Sequence, residues 1–398
     1  MNKKTIFGIT LLTIAVFFAY TQQYSPESAF QVTRTDDGTG VIITRYTGII
    51  GTVRIPPEIR QLPVTHIGER AFKEKYLTSV TIPDSVIAIG AEAFAYNRLT
   101  SVTIGANVSL IGEKAFEHNR LKSLTLPNSV TSIGAHAFQT NNITSLTIPN
   151  SVTSIGTQAF YFSGLTNVTI PDSLTSIGVW VFAYNRLTNV TIPDSVTSIE
   201  EGAFVNSQLK SVTIGANVRT IGIGAFANNR LTSVTIPDSV TLINGSAFYT
   251  NMLTSVTIGA NVRTIGGGAF AYNRLTSVTI PDSVTIIADG AFHKNRLTSV
   301  TIGANVETIG AEAFASNRLT SITIPNSVTK IGRSAFQLNQ LNSISIGANV
   351  QFESIDFYDR TPWSPFPPLP NGFIVFYTKQ GRKAGTYAYH KSGWNEEW

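Results

Sequence analysis

The side chains able to do chemistry in this 398-residue chain are plentiful but poorly arranged for catalysis. Five histidines, His66, His118, His136, His293 and His390, could ligate a metal or carry a proton near neutral pH. No two stand at a spacing that would place both on one ion, so no metal site is expected. Cysteine is absent, which removes disulfides, thiolate ligands, a cysteine nucleophile and a lipid-modified cysteine. Serine and aspartate abound, yet they recur in a Pro-Asp-Ser string that is a turn signature. A catalytic constellation would occur once rather than at every repeat. The chain therefore reads as a non-enzyme that needs no cofactor.

Binding chemistry is more visible, because polar side chains fall into columns. Ser79, Ser101, Ser123, Ser145, Asn167, Asn189, Ser211 and Ser233 form one, and Thr81, Thr103, Thr125 and Thr147 the next. Hydroxyl rows of this kind suit a ligand that is itself periodic, a glycan chain or an ice lattice, with Ser101, Thr103, Ser123 and Thr125 as candidate contacts. They also suit a plain solvated strand surface. Arg98, Arg120, Arg186, Arg230, Arg274, Arg296 and Arg318 make a basic column, and Asp84, Asp172, Asp194, Asp238 and Asp282 an acidic one. At about 3.3 Å per residue the two columns lie roughly 15 to 20 Å apart, too far to pair within one repeat. They read as solvated edges, or as a basic face for an anionic partner. Tyr161, Phe162, Trp180 and Tyr184 gather on two successive repeats, where Phe162 and Tyr184 hold equivalent positions and are expected to stack. Aromatics in a polar rim are the groups that anchor binding partners.

These columns follow from a strict period. Phenylalanine returns every 22 residues thirteen times, from Phe72, Phe94 and Phe116 through Phe226 to Phe336, with an isoleucine five residues ahead of each. Such a period signals a stacked solenoid. In residues 99–120, Val102 and Ile104 alternate with Ser101 and Thr103 as a short strand. Val108 and Ile111, three apart and followed by Glu113 to Phe116, predict a short helical or 3-10 return. Thirteen strands at about 4.8 Å each predict one parallel sheet about 60 Å long. One coil alone cannot fold: a few large apolar side chains at roughly 1.5 to 3 kcal/mol do not cover ordering entropy of roughly 1.5 kcal/mol per residue. Asn97, Asn119, Asn229 and their equivalents, two residues before the strand leucine, predict a ladder of buried amides bonded to the backbone of adjacent coils. After each strand the chain alternates between Pro-Asp-Ser and Gly-Ala-Asn, as at Pro193 and Gly215 or Pro237 and Gly259, which implies a duplicated 44-residue pair. That alternation fails at Pro127, Pro149, Pro171 and Pro193, where Ser163-Gly164 and Ser207-Gln208 also displace Asn-Arg.

Charged residues make up 13% of the chain and the net charge is +5, so nucleic acid is not an expected partner. Met1 to Lys4 is basic, and Thr5 to Tyr20 is apolar and short for a bilayer span. Residues 1–25 are read as a signal peptide or N-terminal anchor, membrane contact being expected only through Met1 to Tyr20 if these are uncleaved. Residues 26–62 read as an N-terminal β cap and residues 351–371 as a proline-rich connector. Residues 372–398 read as a small aromatic hairpin, with strand-like Phe373 to Tyr377 and Thr386 to Tyr389 and with Trp394 and Trp398 in the tail.

The string LTSVTIPDSVTLINGSAFYTNM at residues 231–252, with its I-G-x-x-A-F core replaced by Ile-Asn here and restored in most coils, resembles the BspA-type leucine-rich repeat of bacterial surface proteins. The likeness covers roughly residues 50 to 350. It implies an α/β solenoid, a curved, right-handed leucine-rich repeat stack over residues 63–350 with a parallel sheet and short returns. It further implies export and adhesion to a host, matrix or cell-surface protein or glycan. A structural scaffold without a specific ligand is the alternative. No sorting motif follows the array, which leaves the mode of retention open.

Overall fold

The computed structural model describes residues 24–49, 51–353, 377, 380–390 and 393–397. The apolar Met1 to Tyr20 run, nearly all of the proline-rich connector and Trp398 lie outside the described residues, as does the side chain of Trp394.

Each coil supplies two short strands at different corners. The first is the Ser-Val-Thr segment, such as Ser233–Thr235, whose valine is buried between two exposed polar residues. The second is a dipeptide ending in the periodic isoleucine, such as Leu242–Ile243. Stacking places like on like: Val234 faces Val256 across one parallel pair and Ile243 faces Ile265 across the other. The second strands form two long parallel ladders. One runs from the cap to Ser154–Ile155, the other from Ser176–Ile177 to Gln351–Phe352, and the two are not joined.

The first strands do not form the single long sheet expected. They close in small groups, mostly pairs, such as Asn189–Thr191 with Ser211–Thr213 and Ser233–Thr235 with Ser255–Thr257. The Pro/Gly alternation supplies the physical reason. A Cβ on Gly215, Gly259 or Gly303 would meet the carbonyl oxygen of the preceding proline at 2.2 to 2.3 Å, so glycine lets that coil settle closely onto the one before it. Settled pairs gain bonds such as Ile236 N–H to Thr257 O at 2.9 Å. The pair Ser145–Thr147 and Asn167–Thr169, which joins two proline coils, has a longer equivalent bond, Ile148 N–H to Thr169 O at 3.3 Å. Residues 122–126 belong to no strand, because the strands before and after them pair away from them.

The expected helical returns are absent too: no residue between 63 and 350 is helical. The positions two before and two after the phenylalanine are left-handed, as at Lys114 (φ 53°) and His118 (φ 52°), which interrupts any right-handed turn. The backbone there bonds across coils instead, with Lys114 N–H to Ala135 O and Phe116 N–H to Ala137 O both at 2.8 Å.

Inside, Phe72 to Phe336 form a buried column of stacked rings, centroids 4.8 to 5.9 Å apart. The widest step, 5.9 Å between Phe160 and Phe182, falls where the second-strand ladder is interrupted. Tyr46 takes the first place in this column, stacked on Phe72 at 5.2 Å. It lies on the Val41–Tyr46 strand, antiparallel to Phe30–Arg34 and parallel to Leu62–Ile67. At the far end Gly385–His390 runs antiparallel to both Ser343–Ile346 and Gly393–Glu397. The Tyr377 hydroxyl donates to Gly347 O at 2.7 Å, fastening the last coil.

The asparagine column saturates the buried turn between these corners. Asn229 donates to Phe204 O (2.8 Å), Phe226 O (3.0 Å) and Ala227 O (3.2 Å), and its Oδ1 accepts from Ser207 N–H (3.1 Å) and Leu209 N–H (2.9 Å). Asn97 and Asn119 bond in the same manner. Ser163 and Ser207 are too short to do both jobs. Each hydroxyl donates to a phenylalanine carbonyl of the coil before, Phe138 O and Phe182 O.

Candidate binding surface

The aromatic group of coils 160–184 divides into a packed part and an accessible part. Trp180 sits at a left-handed corner (φ 56°), and its indole lies over Gly202, where a Cβ would come within 2.9 Å of the ring. Trp180 and Tyr161 pack against Ala183, Val205 and Ala227, a small apolar cluster outside the main core. Burial pushes the Tyr161 hydroxyl pKa up. Tyr184 closes the group, 5.2 Å from Tyr161 and 6.4 Å from Trp180, the latter stack nearly parallel at 10°. Phe162 does not stack on Tyr184 as expected. Tyr184 turns toward Tyr161 and Trp180, whereas Phe162 points outward and is 55% exposed.

The hydroxyl candidates are all exposed, but they are not equivalent. Ser101 and Thr103 lie on a strand in register with Ser79 and Thr81. Ser123 and Thr125 fall in the strandless stretch, so the hydroxyl rows are interrupted and not evenly spaced. The arginines of the basic column are exposed; Arg98 lies over the Tyr76 ring at 4.8 Å. Among the described residues no three His, Asp or Glu side chains converge as a metal-ligand set.

The acidic column turns out to be a set of latches. Asp84, Asp194, Asp238 and Asp282 accept the backbone N–H of Ala106, Ala216, Ala260 and Ala304 at 2.6 to 2.7 Å, each alanine standing in the Gly-Ala-Asn turn of the next coil. The asparagine of that turn donates back to the aspartate carbonyl, as Asn261 does to Asp238 O at 2.9 Å. Asp172 is followed by a proline coil, where Asp194 stands in place of the alanine, and it accepts no such bond. It lines a groove of about 340 Å³ between the Asn167–Thr169 and Asn189–Thr191 strands, with Val168, Ile170, Val190 and Pro193 also lining it. Sequence reasoning passed over this groove. Its signal was present as two asparagines in a serine column, read there as ordinary members of the row.

A family description of the BspA type leucine rich repeat region, in six copies, matches residues 65–188, 131–253, 175–296 and 241–361. The chain belongs to the BspA-type leucine-rich repeat family. A leucine-rich repeat protein from Bacteroides ovatus is 28% identical to it, with a TM-score of 0.71 over 81% of this chain and 88% of that one. A leucine rich cell surface protein from Faecalibacterium prausnitzii is 27% identical, with a TM-score of 0.43 over 83% and 90% of the two chains. No curated protein matches the sequence. The departures of this chain from its own repeat concentrate in coils 160 to 204, among the aromatics and in the Asn167 and Asn189 strands alike. For such repeat proteins a role in protein binding or adhesion is the general expectation, and catalysis is not.

Proposed function

We propose that this BspA-type protein is exported and binds a protein or glycan of a host, matrix or neighbouring cell surface, acting as an adhesin and not as an enzyme. The observation that carries the reading is the accessible aromatic pair, Phe162 at 55% and Tyr184 at 39% exposure, on adjacent coils beside the packed Trp180 and Tyr161; Tyr96 and Tyr272 hold the same repeat position elsewhere and are also exposed. Partly exposed aromatics held by packed neighbours are the groups that contribute most where proteins bind. Export is supported by the basic start and apolar run of Met1 to Tyr20. The interrupted hydroxyl rows weigh against an ice lattice, which needs even spacing over a flat face.

The test is an array of matrix proteins and cell-surface glycans probed with the purified chain and with a Phe162→Ser/Tyr184→Ser variant. Both positions are on the surface, so the variant should keep its fold by circular dichroism. Binding that falls at least about tenfold in the variant supports the aromatic face. Equal binding by the two proteins rejects it.

A further inference from the structure

The groove beside Asp172 is set apart from the other gaps between first strands by what its copies lost. Where one proline coil follows another, the residue after the proline is neutral at Asn128 and Asn150, but at the third such junction it is Asp172. The four latching aspartates spend their carboxylates on a neighbouring N–H, whereas Asp172 has no hydrogen-bond or ion-pair partner in the protein. The same two coils carry Asn167 and Asn189 where the serine column otherwise continues. The Asn189 side chain has one long contact, from Thr188 Oγ1 at 3.4 Å, and Asn167 has none. Two carboxamides and a carboxylate therefore face solvent across an opening floored by valine, isoleucine and proline, with their bonding capacity nearly unused.

We infer that this groove binds a neutral hexose unit of a glycan chain, with Asn167 and Asn189 exchanging hydrogen bonds with ring hydroxyls and Asp172 accepting from an adjacent pair. A carboxamide both donates and accepts, as a sugar hydroxyl does, whereas the carboxylate only accepts and so takes hydroxyl donors. The apolar floor suits the C–H face of a pyranose. A sulfated or uronic-acid chain would meet the Asp172 charge without a compensating cation in the lining. A lysine or arginine side chain entering the groove would offer the carboxamide NH2 groups no acceptor, since it only donates. The volume is at the lower end of the roughly 300 to 1,000 Å³ typical of small-ligand sites. The lining has neither the aromatic nor the arginine anchors of a protein interface. Neither Phe162 nor Tyr184 lines this groove, and the site rests on the reading that the chain binds surface ligands.

Affinity electrophoresis or biolayer binding of the full chain to immobilised mannan, dextran and galactan tests it, with heparin and polylysine as the charged comparisons. The variants restore what sister coils already carry, so they keep the fold: Asn167→Ser/Asn189→Ser and Asp172→Asn. The expected result is binding to at least one neutral polysaccharide that falls roughly tenfold or more in the double variant, as the loss of two ordinary hydrogen bonds would give. Asp172→Asn should weaken that binding in the same direction. Failure of the wild type to bind any neutral polysaccharide overturns the inference, as does equal binding by the double variant. Binding to heparin that the double variant abolishes, or to polylysine that Asp172→Asn abolishes without any neutral ligand, assigns the groove to a charged partner and also overturns it. A wild type that binds matrix protein through Phe162 and Tyr184 but no neutral glycan would refute this site alone and leave the adhesive function standing.

Discussion

Two asparagines one coil apart, identical in sequence position, should differ sharply in what their loss costs. Removing the Asn229 amide orphans three buried backbone groups. Ser207 N–H and Leu209 N–H lose their acceptor, and Phe204 O loses its donor, because Ser207 reaches back to Phe182 O instead. Ala227 O keeps Asn206 N–H, and Phe226 O keeps Asn251. Removing Asn251 orphans only Leu231 N–H, since Phe226 O keeps Asn229 and Phe248 O keeps Asn273. At about 1 to 3 kcal/mol for each buried group left unsatisfied, Asn229→Ala should exceed Asn251→Ala by roughly 2 to 6 kcal/mol. Urea unfolding followed by circular dichroism measures both, and amide exchange at Leu209 and Leu231 locates the damage. Losses within about 1 kcal/mol of each other would refute the account, because the amides would then act independently of what stands in the coil before.

Phe226 stacks on Phe204 at 5.5 Å and on Phe248 at 5.4 Å, and Phe226→Ala should cost roughly 3 to 5 kcal/mol in the same unfolding assay while leaving binding unchanged. Near the N-terminal end, hydrogen bonds from Arg70 and then Lys73 hold the Glu92 carboxyl at about 2, below its ordinary 4.5. A carboxyl depressed in the folded state contributes stability that is present above 4.5 and lost as the pH falls toward 2. Glu92→Gln should therefore lower stability at neutral pH and flatten the decline of unfolding midpoint across that window; an unchanged acid limb would show that the clasp is not formed in solution.

The spine, the isoleucine strand ends and the amide ladder were legible because each is a buried side chain that one period fixes in every coil. Phe116, Ile111 and Asn119 can change only at a cost, so their types repeat. The returns were misread for the opposite reason. Val108 and Ile111 are three apart, as on a helix, yet Val108 follows a turn and Ile111 ends the Leu110–Ile111 strand, and the left-handed positions that follow accept Lys114, Trp180, Gly202 or Ser246 alike. A backbone conformation that tolerates so many residues leaves no mark in composition. The broken sheet was written in the sequence as Pro237 and Gly259, but alternation alone looks like a record of duplication until the 2.2 Å approach of Pro237 O gives it a steric meaning. The groove was hidden because Asn167, Asn189 and Asp172 are ordinary members of their columns taken one at a time. Their meaning lies in which coil follows.

Because coils close in twos, the array cannot change length by one repeat without changing character. Near-identical copies invite unequal exchange, and an exchange that adds or drops a 44-residue pair leaves each latched aspartate still accepting from an alanine N–H. Dropping a single 22-residue unit would instead set two proline coils or two glycine coils side by side. The first outcome leaves an aspartate with no alanine to latch, the condition already present at Asp172. Even steps would lengthen the protein, and odd steps would leave one of its latches open.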